Sequence, residues 1–131
     1  MAANGPPVDN PEVMGPAGTV HCSIADYSKF IADQLRGERG DGVLLKAETY
    51  KALHTARFGD SYAFGWAVLS QDWAGGTVLA HQGTNTLNFC IVRVAPRREF
   101  AVLAVTNQGG DEGQKAALEA TDALIRLHDK R

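Results

Sequence analysis

One short segment combines residue types that could take part in chemistry: His81-Gln82-Gly83-Thr84-Asn85. Glycine and small polar residues allow a ligand to approach the backbone closely. Of the four histidines, only His81 is placed where a predicted strand meets a turn, beside a polar cluster. The pattern therefore indicates a binding or catalytic site, and a hairpin turn with an incidental histidine is the alternative interpretation. The remaining histidines are predicted to be surface or helix-end residues: His21, His54 and His128.

Motifs that identify a complete catalytic or metal centre are absent from the sequence. None of the four serines has a lysine three residues later, and no Gly-x-Ser-x-Gly segment occurs. The sequence also has no His-Glu-x-x-His segment, no paired-cysteine metal spacing and no glycine-rich phosphate loop. We therefore expect neither a metal ion nor an organic cofactor, and the chain contains no recognisable nucleophile motif.

Composition and charge exclude several classes of protein. The 131 residues are 44% hydrophobic and 21% charged, with a formal net charge of −2. These values are ordinary for a globular chain and provide no basic field for nucleic acid. No stretch approaches the roughly 20 apolar residues of a membrane span. We therefore predict neither nucleic-acid binding nor a membrane span. The two cysteines, Cys22 and Cys90, are predicted to be reduced and structural.

Hydrophobic periodicity predicts the elements that would position residues 81–85. Helical spacing predicts three helices, over 24–36 (with Ser23 as N-cap), 46–54 and 112–128. Alternating or continuous apolar runs predict four strands, over 62–69, 77–81, 85–94 and 99–106. The order helix, helix, four strands, helix is typical of an α+β fold, an antiparallel sheet meander with flanking helices.

The domain organisation is predicted from proline content and strand hydrophobicity. Residues 1–17 contain four of the five prolines and are predicted to be a flexible lead-in, followed by an α/β unit over 18–131. The last two predicted strands are apolar on both faces, which is typical of strands buried on both faces. Three helices can cover such a sheet only in part. We therefore expect a part of the protein that is absent from this sequence to cover the rest of the sheet.

Several short segments, taken in order, resemble the serine β-lactamase and penicillin-binding protein superfamily, in particular its class C β-lactamase, DD-peptidase and esterase branch. The resemblance covers most of residues 15–128. The segments that carry it are 15–18, 23–26, 44–45, Tyr62-Ala63-Phe64-Gly65-Trp66, His81-Gln82-Gly83, 94–96 and 105–107. It implies the carboxy-terminal part of a β-lactamase/transpeptidase-like fold. The Ser-x-x-Lys and Tyr-x-Asn-type motifs of the family precede this region, so the resemblance implies a missing amino-terminal part that holds the nucleophile.

The resemblance also implies roles for the residues around His81. In the family, a Lys-Thr-Gly or His-x-Gly motif flanks the active-site serine, and His81-Gln82-Gly83 occupies that place. His81 is implied to orient the substrate or assist proton transfer, since a histidine changes charge near neutral pH. The Thr84 backbone N–H is implied to donate to an oxyanion, an interaction typically worth about 3 kcal/mol. The residues implied to contact the substrate are Gln82, Gly83, Asn85 and Asn107.

One departure from the family leaves two functions open. The family usually has a glycine near the position of Leu87, and a leucine there would narrow the cleft or mark a site that has lost catalysis. The first hypothesis is part of a serine hydrolase that forms an acyl-enzyme with β-lactams, D-amino-acid peptides or small esters. The second is a non-catalytic ligand-binding or interaction module. The expected partners are the missing amino-terminal part, a small-molecule or peptide substrate, and a second copy bound through the exposed edge of strand 99–106.

Overall fold

One antiparallel sheet lies between helices in the computed structural model, which describes residues 10–57, 59 and 61–130. In these ranges the helices are α1 (Gly15–Gly18), α2 (Ile24–Gly37), α3 (Ala47–His54) and α4 (Gly110–His128). The strands are β1 (Ala67–Gln71), β2 (Gly76–Thr84), β3 (Phe89–Ala95) and β4 (Phe100–Thr106). They lie in the order β1-β2-β3-β4, each antiparallel to the next. The predicted α+β class and the sheet meander are therefore confirmed.

The described part of the predicted lead-in contains two short helical turns. A 3-10 turn over Glu12–Met14 leads into α1, and neither element has a buried residue. The side-chain amide of Asn10 donates to the Gly18 carbonyl at 2.8 Å. Residues 1–9 lie outside the described residues, and the division into a lead-in and a following unit stays a prediction.

Helix α2 begins at the predicted N-cap. The hydroxyl of Ser23 accepts a hydrogen bond from the Asp26 N–H at 3.1 Å and donates to the Asp26 carboxylate at 2.7 Å. The cap therefore satisfies one of the N–H groups that a helix start leaves unpaired. At the other end of α2, a side chain at Gly37 would overlap the buried ring of Tyr50 in α3. Glycine is thus what allows α2 and α3 to pack closely.

The sheet carries an apolar cluster on each face. Leu79 pairs with Val94 and His81 with Val92, so these residues share the face that packs against α2, the α2 face. The buried residues of this cluster are Ile31, Ala63, Trp66, Leu79, Val92 and Val94. The opposite, α4 face holds a second cluster, formed by Phe89, Ile91 and Ala117. Buried residues of β3 thus project to both faces, as its continuous apolar run indicated.

The prediction of a strand over 62–69 is wrong for the first half of that range. Gly65 adopts a φ of +86°, and the N–H of Ala63 donates to the Trp66 carbonyl at 2.7 Å. The chain therefore forms a tight loop that is closed by a single bridge between Tyr62 and Ala67, and β1 begins only after it. The loop buries Trp66 and leaves Phe64 exposed, so these two residues do not share one face as they would in a strand.

The predicted boundary between the second and third strands is also wrong. The second strand continues through Thr84, which pairs with Phe89, and the turn occupies residues 85–88. His81 therefore lies inside β2 rather than at its end. The polar residues Gln82 and Gly83 have weak strand preference, but the apolar β3 extends the ladder along them.

Strand β4 lies at one edge of the sheet. Within the described ranges, β3 is its only strand partner. Its two faces contact α2 and α4, whereas Val105 is 52% exposed. No helix among the described residues is long and apolar enough to cross a membrane.

Candidate functional site

The imidazole of His81 has a defined orientation on the α2 face. Its Nδ1 lies 2.6 Å from the carbonyl oxygen of Gly65. Because a carbonyl oxygen only accepts, Nδ1 carries the proton, and in the neutral ring the lone pair is on Nε2. Among the residues that the structure describes, Nε2 has no hydrogen-bond partner, and the residue is exposed. One ring nitrogen is thus fixed and the other is available to a ligand.

Gly65 is the residue that sets this orientation, and the sequence assigned it no role. Its φ of +86° lies in the region that favours glycine. The tight loop turns its carbonyl toward His81, from a part of the chain that precedes β1. The signal that could have identified it is a glycine inside an alternating aromatic run, which is typical of a bulge or turn.

A pocket of about 220 Å³ opens beside His81 on the α2 face. Four aromatic residues line it together with Gly65 and His81, namely Tyr27, Phe30, Phe64 and Trp66. Trp66 belongs to the buried cluster, whereas Phe30 and Phe64 are 42% and 61% exposed. The guanidinium carbon of Arg57 lies 5.7 Å from the centre of the Phe64 ring. This pocket, the aromatic pocket, is therefore formed mainly by ring surfaces.

Two groups near this pocket, Tyr27 and Cys90, are uncharged at neutral pH. Burial raises the pKa of Tyr27 to about 12, and the charges that Cys90 and Cys22 would carry add to the effect. Burial also raises the pKa of the Cys90 thiol, with a further contribution from Cys22. Both thiols are free. Tyr27 is therefore a neutral phenol, and Cys90 is a poor nucleophile because the thiolate is the reactive form.

Gln82 and Thr84 project to the opposite face of the sheet from His81 and Gly83, since side chains alternate along a strand. Gln82 lines a groove of about 330 Å³ on the α4 face, where Arg93 is paired with Asp122 at 2.6 Å. The predicted site residues are therefore divided between two faces. The role implied for Thr84 uses its backbone N–H and does not depend on the face of its side chain.

Gly83 occupies open space. A side chain at this position would meet no described atom within 4 Å, and its φ is outside the left-handed region. Pairing between β1 and β2 ends at Ala80, so residues 82–84 have β3 alone beside them in the described sheet. Neither local packing nor backbone conformation requires a glycine here. A glycine in such a strand is typical of a place where a ligand or another backbone approaches closely.

Thr84, Asn85 and Asn107 lie at one end of the sheet. Thr84 pairs with Phe89, and Phe89 pairs with Thr106, so Asn85 and Asn107 follow the ends of β2 and β4, the two strands that flank β3. The Thr84 hydroxyl donates to the Asn88 carbonyl at 2.7 Å, and Asn85 Oδ1 accepts from the Asn88 N–H at 2.8 Å. These two side chains therefore stabilise the turn over 85–88. Contact of Asn85 and Asn107 with a substrate stays a prediction.

The turn itself contains a strained residue. Thr86 has a φ of +71°, a conformation that is unfavourable for a β-branched side chain. Gly109 supports it, because a side chain there would overlap the Thr86 carbonyl. Leu87, which stands where the family usually has a glycine, is 37% exposed beside it. The loop that precedes α4 thus approaches closely the turn that follows Thr84.

Of the two alternatives predicted for His54, surface or helix end, the second is confirmed, because His54 ends α3 and is buried. Its side chain is only 2% exposed. Nδ1 lies 2.7 Å from the Glu38 carboxylate and Nε2 lies 3.0 Å from Oε1 of Gln34. The ring also meets Trp66 edge-on, with 6.1 Å between ring centres. His54 therefore joins the end of α3 to the end of α2 behind the aromatic pocket.

A second buried polar group holds the loop between α2 and α3. The carboxylate of Asp33 accepts from the Val43 N–H at 2.6 Å and from the Tyr50 hydroxyl. Burial alone would raise the pKa of Asp33, but the hydrogen bonds from Tyr50, Val43 and Leu44 outweigh it and hold the pKa below its ordinary value. Burial and then Asp33 raise the pKa of Tyr50. We assign this pair a structural role.

No group of three or more His, Cys, Asp or Glu side chains that could hold a metal ion occurs within residues 10–57, 59 and 61–130. No protein-family model, curated protein or solved structure matches the chain. The fold and the site together define an α+β protein that has a sheet meander and an oriented histidine beside an aromatic pocket. Its relationship to the β-lactamase superfamily stays a prediction.

Proposed function

We propose that this chain is the carboxy-terminal part of a serine hydrolase of the β-lactamase or penicillin-binding type. The missing amino-terminal part supplies the nucleophilic serine and its base, and this chain supplies one wall of the site. The substrates are β-lactams, D-amino-acid peptides or small esters. The chain alone is inactive because the Ser-x-x-Lys motif is absent.

One observation carries the proposal. His81 and Gly83 are two residues apart on the same face of β2, just beyond the point where β1 stops pairing. Among the described residues, the Nε2 of His81 has no hydrogen-bond partner while Nδ1 is bound, and Gly83 has open space beside it. An oriented acceptor next to an unoccupied stretch of strand suits an acyl compound that lies along β2.

The chemistry follows from this arrangement. The acyl part of the substrate lies along residues 82–84, and the Thr84 N–H donates to the oxygen that becomes negative on attack. His81 Nε2 accepts a hydrogen bond from the substrate or a proton from the reacting centre. The base from the missing part takes the proton of the serine. These roles require that the Thr84 N–H points away from β3, toward the side of β2 that β1 leaves open.

The alternative is a ligand-binding or interaction module without activity. The leucine at position 87 favours it, because a leucine there would narrow the cleft that an acyl substrate enters. In this alternative, the same face of β2 holds a ligand but no reaction follows.

The test uses the isolated chain and the product of the adjacent upstream reading frame. The chain alone should hydrolyse neither a chromogenic β-lactam nor a p-nitrophenyl ester above a denatured control. If the upstream product contains Ser-x-x-Lys, mixing the two should produce a heterodimer with recovered hydrolysis. A penicillin or fluorophosphonate probe that labels a serine of this chain, with turnover, would contradict the proposal. So would a heterodimer that stays inactive toward both substrates.

A further inference from the structure

We propose that His54 is a positioning residue, whose charge sets the position of Trp66 and thereby the loop that orients His81. The imidazole of His54 is buried between Glu38 and Gln34, and these three side chains form the His54 cluster. The imidazole also meets the Trp66 ring edge-on. A proton gained or lost by the cluster is therefore felt at the site. This coupling is a property of the chain alone and goes beyond the proposed function.

Both hydrogen-bond partners of the His54 imidazole are acceptors. Nδ1 lies 2.7 Å from a carboxylate oxygen of Glu38, and Nε2 lies 3.0 Å from Oε1 of Gln34. Carboxylate and amide oxygens only accept hydrogen bonds, whereas a neutral imidazole has a single N–H. The observed arrangement is therefore satisfied at both ring nitrogens only by the doubly protonated, cationic imidazole.

The neutral imidazole requires a different arrangement of the same cluster. The carboxylate of Glu38 retains the N–H on Nδ1, because an ionised acceptor forms the stronger hydrogen bond. The lone pair on Nε2 then faces the Gln34 oxygen, so the amide has to turn over and present its NH2 group. His54 and Gln34 are 5% and 4% exposed, and little water reaches them to replace the lost hydrogen bond. Protonation thus selects between two discrete arrangements of the His54 cluster.

The contact between His54 and Trp66 connects this cluster to the tight loop. The two rings meet at an interplanar angle of 88°, with 6.1 Å between their centres. At about this distance an indole ring attracts a cation more strongly than it attracts a neutral ring. Trp66 is buried, and its carbonyl accepts from the Ala63 N–H at 2.7 Å to close the loop. A shift of the indole ring therefore moves Gly65, whose carbonyl fixes Nδ1 of His81.

The other groups packed against the His54 cluster do not titrate in the range of a histidine. The Tyr50 ring centre lies 6.2 Å from that of His54, and burial and then Asp33 raise the pKa of Tyr50 above 10.0. Burial would raise the pKa of Asp33, but its hydrogen bonds outweigh burial and hold the pKa below 3.8. The proton concerned therefore belongs to His54 or Glu38.

On the side of the aromatic pocket, the group that needs a control is His81. Burial raises the pKa of Tyr27 to about 12 and that of the Cys90 thiol above 9.0, so both stay neutral. Arg57, whose guanidinium carbon lies 5.7 Å from the Phe64 ring centre, stays charged throughout. An exposed imidazole such as that of His81 changes charge near neutral pH. The experiment therefore includes a chain that lacks this imidazole.

The experiment follows the histidine ring nitrogens and the Trp66 indole N–H of the full chain by two-dimensional NMR, between about pH 5 and 8. The His54 ring should change from two N–H groups at low pH to one at high pH. The signals of the Trp66 indole and the Gly65 amide should move with the same midpoint. In the His81→Ala chain the Trp66 transition should persist, because the proton concerned is on His54.

Three variants provide the matched comparison. Gln34→Glu places a second carboxylate beside the imidazole and should raise the midpoint of the Trp66 transition by about 1 pH unit or more. Gln71→Glu makes the same change in charge at an exposed position at the end of β1 and should leave the midpoint unchanged. Glu38→Gln removes the carboxylate and should lower the midpoint by a similar amount. The Glu38 side chain is 35% exposed, so this third variant carries the comparison if Gln34→Glu does not fold.

Several results would overturn the inference. One is a His54 ring that keeps the same number of N–H groups throughout the pH range. Another is a Trp66 transition that disappears in the His81→Ala chain. The third is a midpoint that neither a carboxylate added at position 34 nor the loss of the carboxylate at position 38 changes. None of these measurements involves hydrolysis, so the failure of the proposed function and the failure of this inference are distinguished.

Discussion

The carbonyl oxygen of Gly65 lies 2.6 Å from Nδ1 of His81, although one residue is in a tight loop and the other is inside a strand. The side-chain chemistry of His81 therefore depends on a backbone conformation that glycine alone adopts readily, at a φ of +86°. A change at Gly65 should alter the protonation pattern of His81 without touching its ring.

Gly65→Ala should disturb the tautomer of His81. A side chain at this φ costs roughly 1–2 kcal/mol, and the loop can relieve it by moving its carbonyl. Nitrogen NMR of the histidine rings should then show a mixture of Nδ1–H and Nε2–H forms in place of the Nδ1–H form. Gly40→Ala is the control, because Gly40 has a similar φ of +93° and also has nothing within 4 Å. Gly40→Ala should lower the stability by a similar amount and leave the tautomer of His81 unchanged. A tautomer shift in both variants would disprove the dependence of the His81 tautomer on Gly65.

His81→Ala should separate activity from stability. In the reconstituted enzyme we expect the acylation rate to fall by a hundredfold or more, about the lower range of acid–base contributions. The free energy of unfolding should fall by no more than about 1 kcal/mol, because the exposed side chain makes a single hydrogen bond to a backbone carbonyl. Stopped-flow acylation and thermal melts give the two values. An unchanged rate with a large loss of stability would make His81 a structural residue.

Gly83→Ala should preserve the fold and impair the site. The open space beside Gly83 accommodates a methyl group, and alanine in a strand interior is more stable than glycine by roughly 0.5–1 kcal/mol. The same methyl would stand where the acyl group approaches β2, so activity after mixing should fall. Gly37→Ala is the opposite case, because its methyl overlaps the buried Tyr50 ring and should cost about 1–3 kcal/mol. Urea denaturation compares the two, and a destabilised Gly83→Ala chain would contradict the open-space interpretation.

The Asp33–Tyr50 pair should make stability depend on pH in both directions. The pKa of Asp33 is held below its ordinary 3.8, so its contribution is present above that value and is lost as the pH falls through the folded-state pKa. The pKa of Tyr50 is raised above 10.0, so its contribution is present below that pH and is lost as the pH rises through the folded-state pKa. Asp33→Asn should cost about 1–3 kcal/mol at neutral pH and make the acid-side decline shallower. An equally steep decline, measured by urea denaturation across pH, would assign the effect to other carboxylates.

The edge strand β4 should show incomplete protection from hydrogen exchange. Alternate amides over residues 100–105 point away from β3 and should exchange fast in a dilute monomer. They should become slow on addition of the amino-terminal part, which restores a strand beside them. Amides of β3, which is paired on both sides, are the internal control and should be slow throughout. Full protection of β4 in the monomer would mean that the edge is already covered, and would remove the main physical support for a missing strand.

The order of the elements from α2 onward could be predicted from the sequence, but α1 and two boundaries could not. Helical spacing and the Ser23 cap are local signals, and they located α2 within one residue at its end. The loop at Gly65 has the aromatic alternation of a strand, and only its left-handed φ distinguishes it. The strand character of residues 82–84 comes from pairing with β3, which is a tertiary effect.

The segment that holds the site could be predicted from the sequence, but the three-dimensional arrangement of the site could not. His81 was identified because a histidine stands beside glycine and small polar residues, all in one stretch of sequence. Its partner Gly65 and the aromatic rings come from distant segments that no local pattern connects. The burial of His54 has the same cause, because its oxygen partners, Gln34 in α2 and Glu38 directly after α2, are distant in sequence.

The meander has a consequence for how the chain acquires its structure during synthesis. Each strand pairs with the strand next to it in sequence, so only short loops have to close before the ladders form. All four strands lie within residues 67–106, which a ribosome releases in roughly 2–8 s at about 5–20 residues per second. Helix α4 leaves the ribosome after them. It therefore arrives at a sheet whose ladders have already had time to form, and covers the α4 face last.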